Sequence, residues 1–272
     1  MKKLITVLAL ALVCALVLSA CGGKATRTPG DDGVIKVGAT AAPHAEVLEA
    51  AKALLAEKGY TLEITVFDDY VLPNTAVAEG DLDCNYFQHQ PYLTYFNTEN
   101  KTDLVSAGNV HYEPLGVYPG KTAELANIAD GASIGIPNDG SNEARALYLL
   151  EAQGLIKVNH DAGYDATPLD ITENPHNINF VEMDADKLPA AVKDVDFAVI
   201  NGNYAIASGI NTTVLVTEDA AGESATTYAN IIAVRKGDEN NEAIKALLEV
   251  LHSDEIISFI NEKYQGSVVP LS

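Results

Sequence analysis

The chain predicts an α/β fold in two lobes, and three observations carry that prediction. Strand-like runs rich in β-branched residues alternate with one-sided helical stripes. The alternation occurs as two series rather than one. An irregular stretch near Tyr112–Lys121, broken by Pro114 and Gly116, separates the two series. Alternating β and α segments argue for largely parallel sheets with helices on their faces.

The first series opens with Val34–Thr40, a β-branched run ending in small residues. A helix is predicted over Pro43–Lys58, where Val47, Leu48, Ala51, Leu54 and Leu55 form one apolar stripe and Gly59 stops it. Leu62–Phe67 alternates as a strand. Leu72–Glu79 reads as a short helix with Pro73 in its first turn, ended by Gly80. Cys84–Phe87 is a brief strand, Tyr92–Phe96 begins a helix, and Leu104–Tyr118 is extended chain interrupted by Gly108, Pro114 and Gly116. The second series has strands at Ala132–Ile136, Ile178–Met183, Phe197–Ile200 and Tyr228–Arg235, with helices at Asn142–Gln153 and Ala185–Lys193. The chain closes on two helices divided near Ser253–Asp254. Ligands of open α/β sheets collect at the carboxyl ends of strands. Here those ends are rich in aromatics, His and Asn: His44, Asp69-Tyr70, Phe87-Gln88-His89, Asn138-Asp139 and Asn201-Gly202-Asn203.

Ahead of the folded series stand Lys2 and Lys3, an apolar run over Leu4–Leu18, and Leu18-Ser19-Ala20-Cys21. A basic start, a short apolar run and a small-residue cut site make an export signal, and the run is too short to span a membrane comfortably. The cysteine after Leu-Ser-Ala resembles a bacterial lipobox, which implies removal of residues 1–20 and acylation of Cys21. Residues 22–33 are small, polar and Gly/Pro-rich and read as a flexible tether with a reach of about 20 Å. The net charge is −21, or −23 without residues 1–20, which hold two lysines and no acid. A field that negative repels nucleic acid and anionic lipid. Cys84 would then be the one thiol not carrying lipid, so no internal disulfide is expected.

Chemistry-bearing patterns are sparse. The single Gly-x-Ser-x-Gly match, Gly131-Ala132-Ser133-Ile134-Gly135, falls inside the predicted strand Ala132–Ile136 rather than at a strand-to-helix elbow, and there is no Cys-x-x-Cys and no phosphate-binding glycine loop, so neither a nucleophilic enzyme nor a cofactor is expected. Cys84 sits in a strand-like run and reads as an inert buried thiol. His44, His89 and His111 lie near strand ends and would suit zinc if they converged with a carboxylate. No His pair has helical or alternate-residue ligand spacing, so no metal is expected. More suggestive is the aromatic set Tyr70, Phe87, His89 and Tyr92, an apolar cage with polar tips that suits a small ligand with an apolar tail. Arg145 lies one turn into a helix, where free N–H groups and the dipole favour an anion and a guanidinium grips a carboxylate with two bonds. Spacing alone leaves open a second role, pairing with Glu143, Glu151 or a neighbouring acid.

Taken in order, the segments Val37-Gly38-Ala39-Thr40, Pro43-His44-Ala45-Glu46, Asp69-Tyr70-Val71-Leu72-Pro73-Asn74, Phe87-Gln88-His89 with Pro91-Tyr92-Leu93, His111 with Glu113-Pro114, Pro137-Asn138-Asp139, Ser141-Asn142 with Arg145, and Tyr228 with Asn230 resemble the NlpA lipoprotein family. The resemblance spans nearly the whole chain after Cys21. It implies a two-lobed, periplasmic-binding-protein-like fold of type II with the ligand cleft between the lobes. One lobe would be 34–112 with 231–272 returning to it, the other 113–230. It further implies that Tyr70, Phe87 and His89 enclose a methionine side chain, that Arg145 holds the carboxylate, and that Asn203 and Asn230 bind the backbone groups. His111 and Asn142 are further candidates. Three positions depart from the family pattern: Gly140 where Pro is usual, Gly202 where Thr is usual, and Cys84 where Ala is usual.

The resemblance therefore implies a lipid-anchored, monomeric receptor on the extracytoplasmic face of a bacterial membrane. It would pass L-methionine to an ABC permease with its ATPase subunit and would not bind nucleic acid. D-methionine, a methionine-containing dipeptide or another amino acid are alternative cargoes, motivated by Gly140 and Gly202. A surface lipoprotein with an adhesive or signalling role is the alternative of a different class.

Overall fold

The computed structural model describes residues 27–271. The export signal and Cys21 lie outside the described residues, as do residues 22–26 of the tether. The part of the tether within them is fastened rather than loose. Arg27 donates from Nε to Asp83 at 3.2 Å and from both terminal nitrogens to Asp32 at 2.5 Å, and Pro29 is buried. The charge on Arg27 overrides the Gly/Pro composition that made this stretch read as flexible.

In chain order the first lobe-forming elements are β1 (Val34–Thr40), α1 (Glu46–Glu57), β2 (Thr61–Phe67), α2 (Leu72–Ala78), β3 (Cys84–His89), α3 (Gln90–Asn100) and β4 (Val105–Tyr112). The chain then crosses to β5 (Gly116–Pro119), β6 (Ser133–Pro137), α4 (Gly140–Ala152), β7 (Lys157–Val158), β8 (Ile171–Glu173), β9 (Asn179–Met183), α5 (Leu188–Ala191), β10 (Phe197–Ile200), α6 (Gly202–Ala207), β11 (Val216–Thr217) and α7 (Glu223–Thr227). It returns through β12 (Ala229–Val234), α8 (Glu242–Leu251), α9 (Asp254–Tyr264) and β13 (Val269–Pro270).

Two main sheets result. One has the order β13-β4-β12-β3-β1-β2, the other β11-β5-β10-β6-β9. Each is mixed rather than largely parallel. The β1–β2, β1–β3, β6–β9 and β6–β10 pairs are parallel, as right-handed crossovers require. The strands at the two crossings between sheets are antiparallel: β4 and β3 flank β12, and β10 and β11 flank β5. The predicted extended run Leu104–Tyr118 is thus two strands belonging to different sheets, with Glu113-Pro114-Leu115 as the crossing. The return crossing is Tyr228, one residue before β12.

Both sheets are buried on both faces, which explains their near-continuous apolar runs. Ile35, Val37, Tyr86, Ile232 and Val234 meet Leu48, Leu55, Leu247 and Ile260 from α1, α8 and α9 on one face of the larger sheet. Val77, Phe87, Leu93 and Phe96 cover the other. In the smaller sheet, Ile134, Ile136 and Phe197 meet Leu147 and Leu150 of α4, while Ala198 and Ile200 meet Leu188 and Tyr204 on the opposite face. Tyr70 packs against clusters of both lobes and so bridges them. Among the described residues no helix is long and apolar enough to cross a membrane.

The stripe predicted as one helix from Pro43 begins instead with a separate wide turn over Ala41–Ala45, and α1 starts at Glu46. That turn aims the His44 ring inward, where it is 1% exposed.

Candidate functional site

The carboxyl ends of β1, β3, β6 and β10 face one another across the cleft, together with the two crossings. Their side chains line one small shared space, about 20 Å³ in volume. Its wall comprises Tyr70, Phe87, Gln88, His89, Tyr92, Glu113, Asn142, Arg145, Asn201, Gly202, Asn203 and Asn230. Seven of the eight predicted ligand residues are therefore brought together on one wall. His111 is not on it: it lies behind Glu113, fully buried.

One end is aromatic. The Tyr70 ring stands 5.5 Å from Phe87 and 5.5 Å from Tyr92, and His89 meets Tyr92 edge-on at 6.4 Å. His89 caps α3: its Nδ1 accepts from the Tyr92 N–H at 3.2 Å, which places the ring proton on Nε2, donating to Asn142 Oδ1 at 3.1 Å. Burial, with the nearby Arg145 charge, lowers the His89 pKa to about 3, so the ring is a neutral wall. Asn142 also accepts from Asn201 at 2.8 Å and donates to Asp139 at 2.9 Å. Its amide is consumed within the protein, so it positions His89 and Asn201 rather than offering a free donor.

The other end is polar. Arg145 is 4% exposed and rises from the second turn of α4, which Asp139 caps. Its Nε and Nη2 bind Glu218 Oε1 and Oε2 at 2.9 and 2.6 Å, and Nη2 also donates to the Glu113 carbonyl at 2.9 Å. The guanidinium lies 4.1 Å over the Tyr228 ring. Its Nη1 has no hydrogen-bond partner among the described residues and remains a donor for a ligand anion. Burial works against the Glu218 charge, but the guanidinium outweighs it and holds the carboxyl below its ordinary value. The partner of Arg145 is thus neither Glu143 nor Glu151 but an acid 73 residues away. No local spacing could have found it.

Asn203 accepts from the Tyr70 hydroxyl at 2.6 Å, and its Nδ2 lies 3.5 Å from Thr40 Oγ1. Asn230 Oδ1 meets His44 Nε2 at 2.9 Å, leaving its Nδ2 without a protein partner among the described residues. Behind this wall His44, His111 and Glu113 converge, with His111 Nε2 at 2.7 Å and His44 Nε2 at 3.2 Å from Glu113 Oε1. Two imidazoles and a carboxylate are a metal-type donor set, and these three are the set of that kind among the described residues. Every one of these donors already has a hydrogen-bond partner within the protein. His89, the third histidine considered, stays on the far side of the cavity with Asn142. Cys84 is buried and free, and burial pushes its pKa up, as suits an inert thiol.

Known proteins share this sequence pattern and fold. The model of the NlpA lipoprotein family matches residues 35–272. The chain is 45% identical over 281 residues to the methionine-binding lipoprotein MetQ of Bacillus subtilis, covering all of both chains. It is 34% identical to the D-methionine-binding lipoprotein MetQ of Escherichia coli K12, covering 95% of this chain and 94% of that one. Among solved structures, a lipoprotein of Ruminococcus gnavus superimposes with a TM-score of 0.87 at 49% identity, covering 88% of this chain and 100% of that one. A nutrient-binding protein of Burkholderia cenocepacia bound to methionine superimposes with a TM-score of 0.83 at 40% identity, over 88% and 100% of the two chains.

Proposed function

The chain belongs to the NlpA lipoprotein family, and from that premise we propose that it is an extracytoplasmic receptor that captures L-methionine and delivers it to an ABC importer. The supporting observation is the two-ended cavity, with an aromatic cage at one end and a buried guanidinium with a free nitrogen at the other. Methionine divides in the same way. Burying its side chain contributes roughly 1.5–3 kcal/mol, and sulfur against ring edges prefers the thioether to a plain chain. Each charge-assisted hydrogen bond contributes roughly 1.5–3 kcal/mol. Nanomolar affinity needs about 12 kcal/mol, so the polar end must supply much of it.

In this reading Tyr70, Phe87, His89 and Tyr92 enclose the side chain, Arg145 Nη1 takes the carboxylate, and Asn203 and Asn230 orient the backbone groups. The lobes close on the ligand and exclude water. Acylated Cys21 holds the receptor at the membrane beside a permease and its ATPase subunit, which raises the effective concentration of loaded receptor. No covalent chemistry is required of the protein, and the family relatives bear the names of binding proteins.

Calorimetry of the purified protein with L-methionine tests the reading. Saturable one-to-one heat is expected. No heat with methionine beside clear binding of D-methionine or a methionine dipeptide would replace the cargo and keep the receptor class.

A further inference from the structure

A second pocket is built wholly from residues 145–228, and Arg145 is the single residue it shares with the cavity described above. Its volume is about 590 Å³, the scale of a small organic molecule. One wall is a face of α4, where Arg145, Tyr148, Leu149 and Ala152 recur at helical spacing. The other walls are the turn carrying His160 and Tyr164 and the segment between Thr217 and Tyr228 that leads into β12. At the floor Arg145 and Glu218 are bound to each other through both carboxylate oxygens, so the floor carries no net charge.

The walls are aromatic and held in place. The Tyr148 hydroxyl donates to the Gly163 carbonyl at 2.7 Å, and the His160 ring stacks on Tyr148 at 5.0 Å with 18° between the planes. Glu151 holds that imidazole at 2.7 Å. Tyr164, 53% exposed, stands edge-on to Tyr228 at 6.4 Å. Tyr228 already carries one cation on its ring, the Arg145 guanidinium at 4.1 Å. The rim adds charge of one sign: Asp219 and Glu223 are exposed and have no cationic partner among the described residues. Tyrosine faces attract a cation through the ring quadrupole, and unpaired carboxylates beside them favour the same sign. No lysine lines the pocket, and its one guanidinium is neutralised by Glu218. An anion would be repelled at the rim, and a neutral molecule would gain nothing from the two acids.

We propose that this pocket is a second ligand site, for a small organic cation of the alkylated ammonium class, held against Tyr148, Tyr164 and Tyr228 with Asp219 and Glu223 supplying the counter-charge. Ring faces suit an alkylated ammonium better than a metal ion, which asks for several converging oxygens. The site uses neither the aromatic cage of the methionine cavity nor the free nitrogen of Arg145, so the two ligands bind at once.

The test is calorimetry of the full-length lipoprotein in a maltoside detergent with choline and with its neutral isostere 3,3-dimethylbutan-1-ol. Choline is expected to bind one-to-one with a dissociation constant of about 1 mM or tighter, and the isostere about tenfold more weakly. Saturation with L-methionine beforehand should leave choline binding intact. Tyr164→Ala should weaken choline about tenfold and leave methionine affinity unchanged, whereas Tyr164→Phe should retain choline binding. Glu223→Gln should weaken choline about threefold. Absence of saturable binding at about 20 mM choline overturns the proposal, as does equal binding of the isostere. Displacement of choline by methionine places it in the methionine cavity and overturns the second site. Indifference of choline binding to Tyr164→Ala overturns it as well. Tyr164 does not line the methionine cavity, so its variants report on this pocket even if methionine is not the cargo.

Discussion

Tyr70 and Asn203 reach each other across the cleft: the phenol donates to Asn203 Oδ1 at 2.6 Å. Tyr70 follows β2 of the larger sheet, and Asn203 lies in α6 behind β10 of the smaller one. A second bond beside it, from the Tyr204 hydroxyl to the Asp68 carbonyl at 3.0 Å, spans the same gap. The same Tyr70 ring belongs to the aromatic end of the cavity. One side chain therefore shapes the cage with its ring and ties the lobes with its hydroxyl. Tyr70→Phe separates the two roles. The cage persists, and one buried bond of about 1 kcal/mol is lost. Methionine affinity should fall about fivefold, through faster release, in stopped-flow measurements. An unchanged release rate would show that the hydroxyl does not tie the lobes in the loaded state.

Arg145 and Glu218 form a buried pair at 4% and 7% exposure, so changes to either act on stability and binding together. Arg145→Ala should weaken methionine binding at least tenfold and also destabilise the protein, because Glu218 is left buried and unpaired. Breaking such a pair from one side costs about 3–5 kcal/mol. Adding Glu218→Gln to Arg145→Ala should restore much of the melting temperature and none of the affinity. If the double variant regains binding, Arg145 serves only to neutralise Glu218.

Much of this architecture is legible in the residues themselves. The stripes of α1, α4, α8 and α9 and the apolar runs of β1, β6, β10 and β12 are periodic enough to place within a few residues. Where the chain is read as a single extended stretch, at Leu104–Tyr118, local pattern carries no sign that Tyr112 and Gly116 enter different sheets. That division is set by strand partners far away in sequence, β12 for one and β10 for the other. Short elements such as α6 and α7 have too few residues for a period to show. In the site, Tyr70, Phe87, His89 and Arg145 announce themselves by residue type at strand and helix ends. Glu218 does not, because an acid in a chain with 38 acids has no distinguishing context until folding places it against Arg145. Gly202 looks like a loop variation until Glu113 is found where its Cβ would be.

Glu143, on α4, is buried and its Oε1 has no hydrogen-bond partner among the described residues. Burial first, and then its hydrogen bond and repulsion with Glu182, push its pKa from 4.5 up to about 8. Between those values the native state holds a proton that the unfolded chain has released. Stability from this group therefore falls as pH rises from about 4.5 and reaches its full penalty above about 8. Glu143→Gln removes the titration. The variant should melt higher than the wild type at pH 8.5, and the gain should shrink steadily toward pH 5. A gain independent of pH would show that Glu143 is ionised throughout.

In the proposed reading, acylated Cys21 serves delivery and takes no part in capture. The cavity is assembled wholly from residues between Tyr70 and Asn230, and Arg27, the first described residue, is bound to Asp32 and Asp83 of the folded body. Cys21→Ala should leave methionine affinity within twofold of the wild type while abolishing retention in the membrane fraction, read by fractionation of expressing cells. Uptake of labelled methionine at low external concentration should drop, because the receptor no longer meets its permease at the high local concentration that a short anchor imposes. Retention of the variant in the membrane would place the anchor elsewhere in the chain, and a loss of affinity would join the anchor to the binding site.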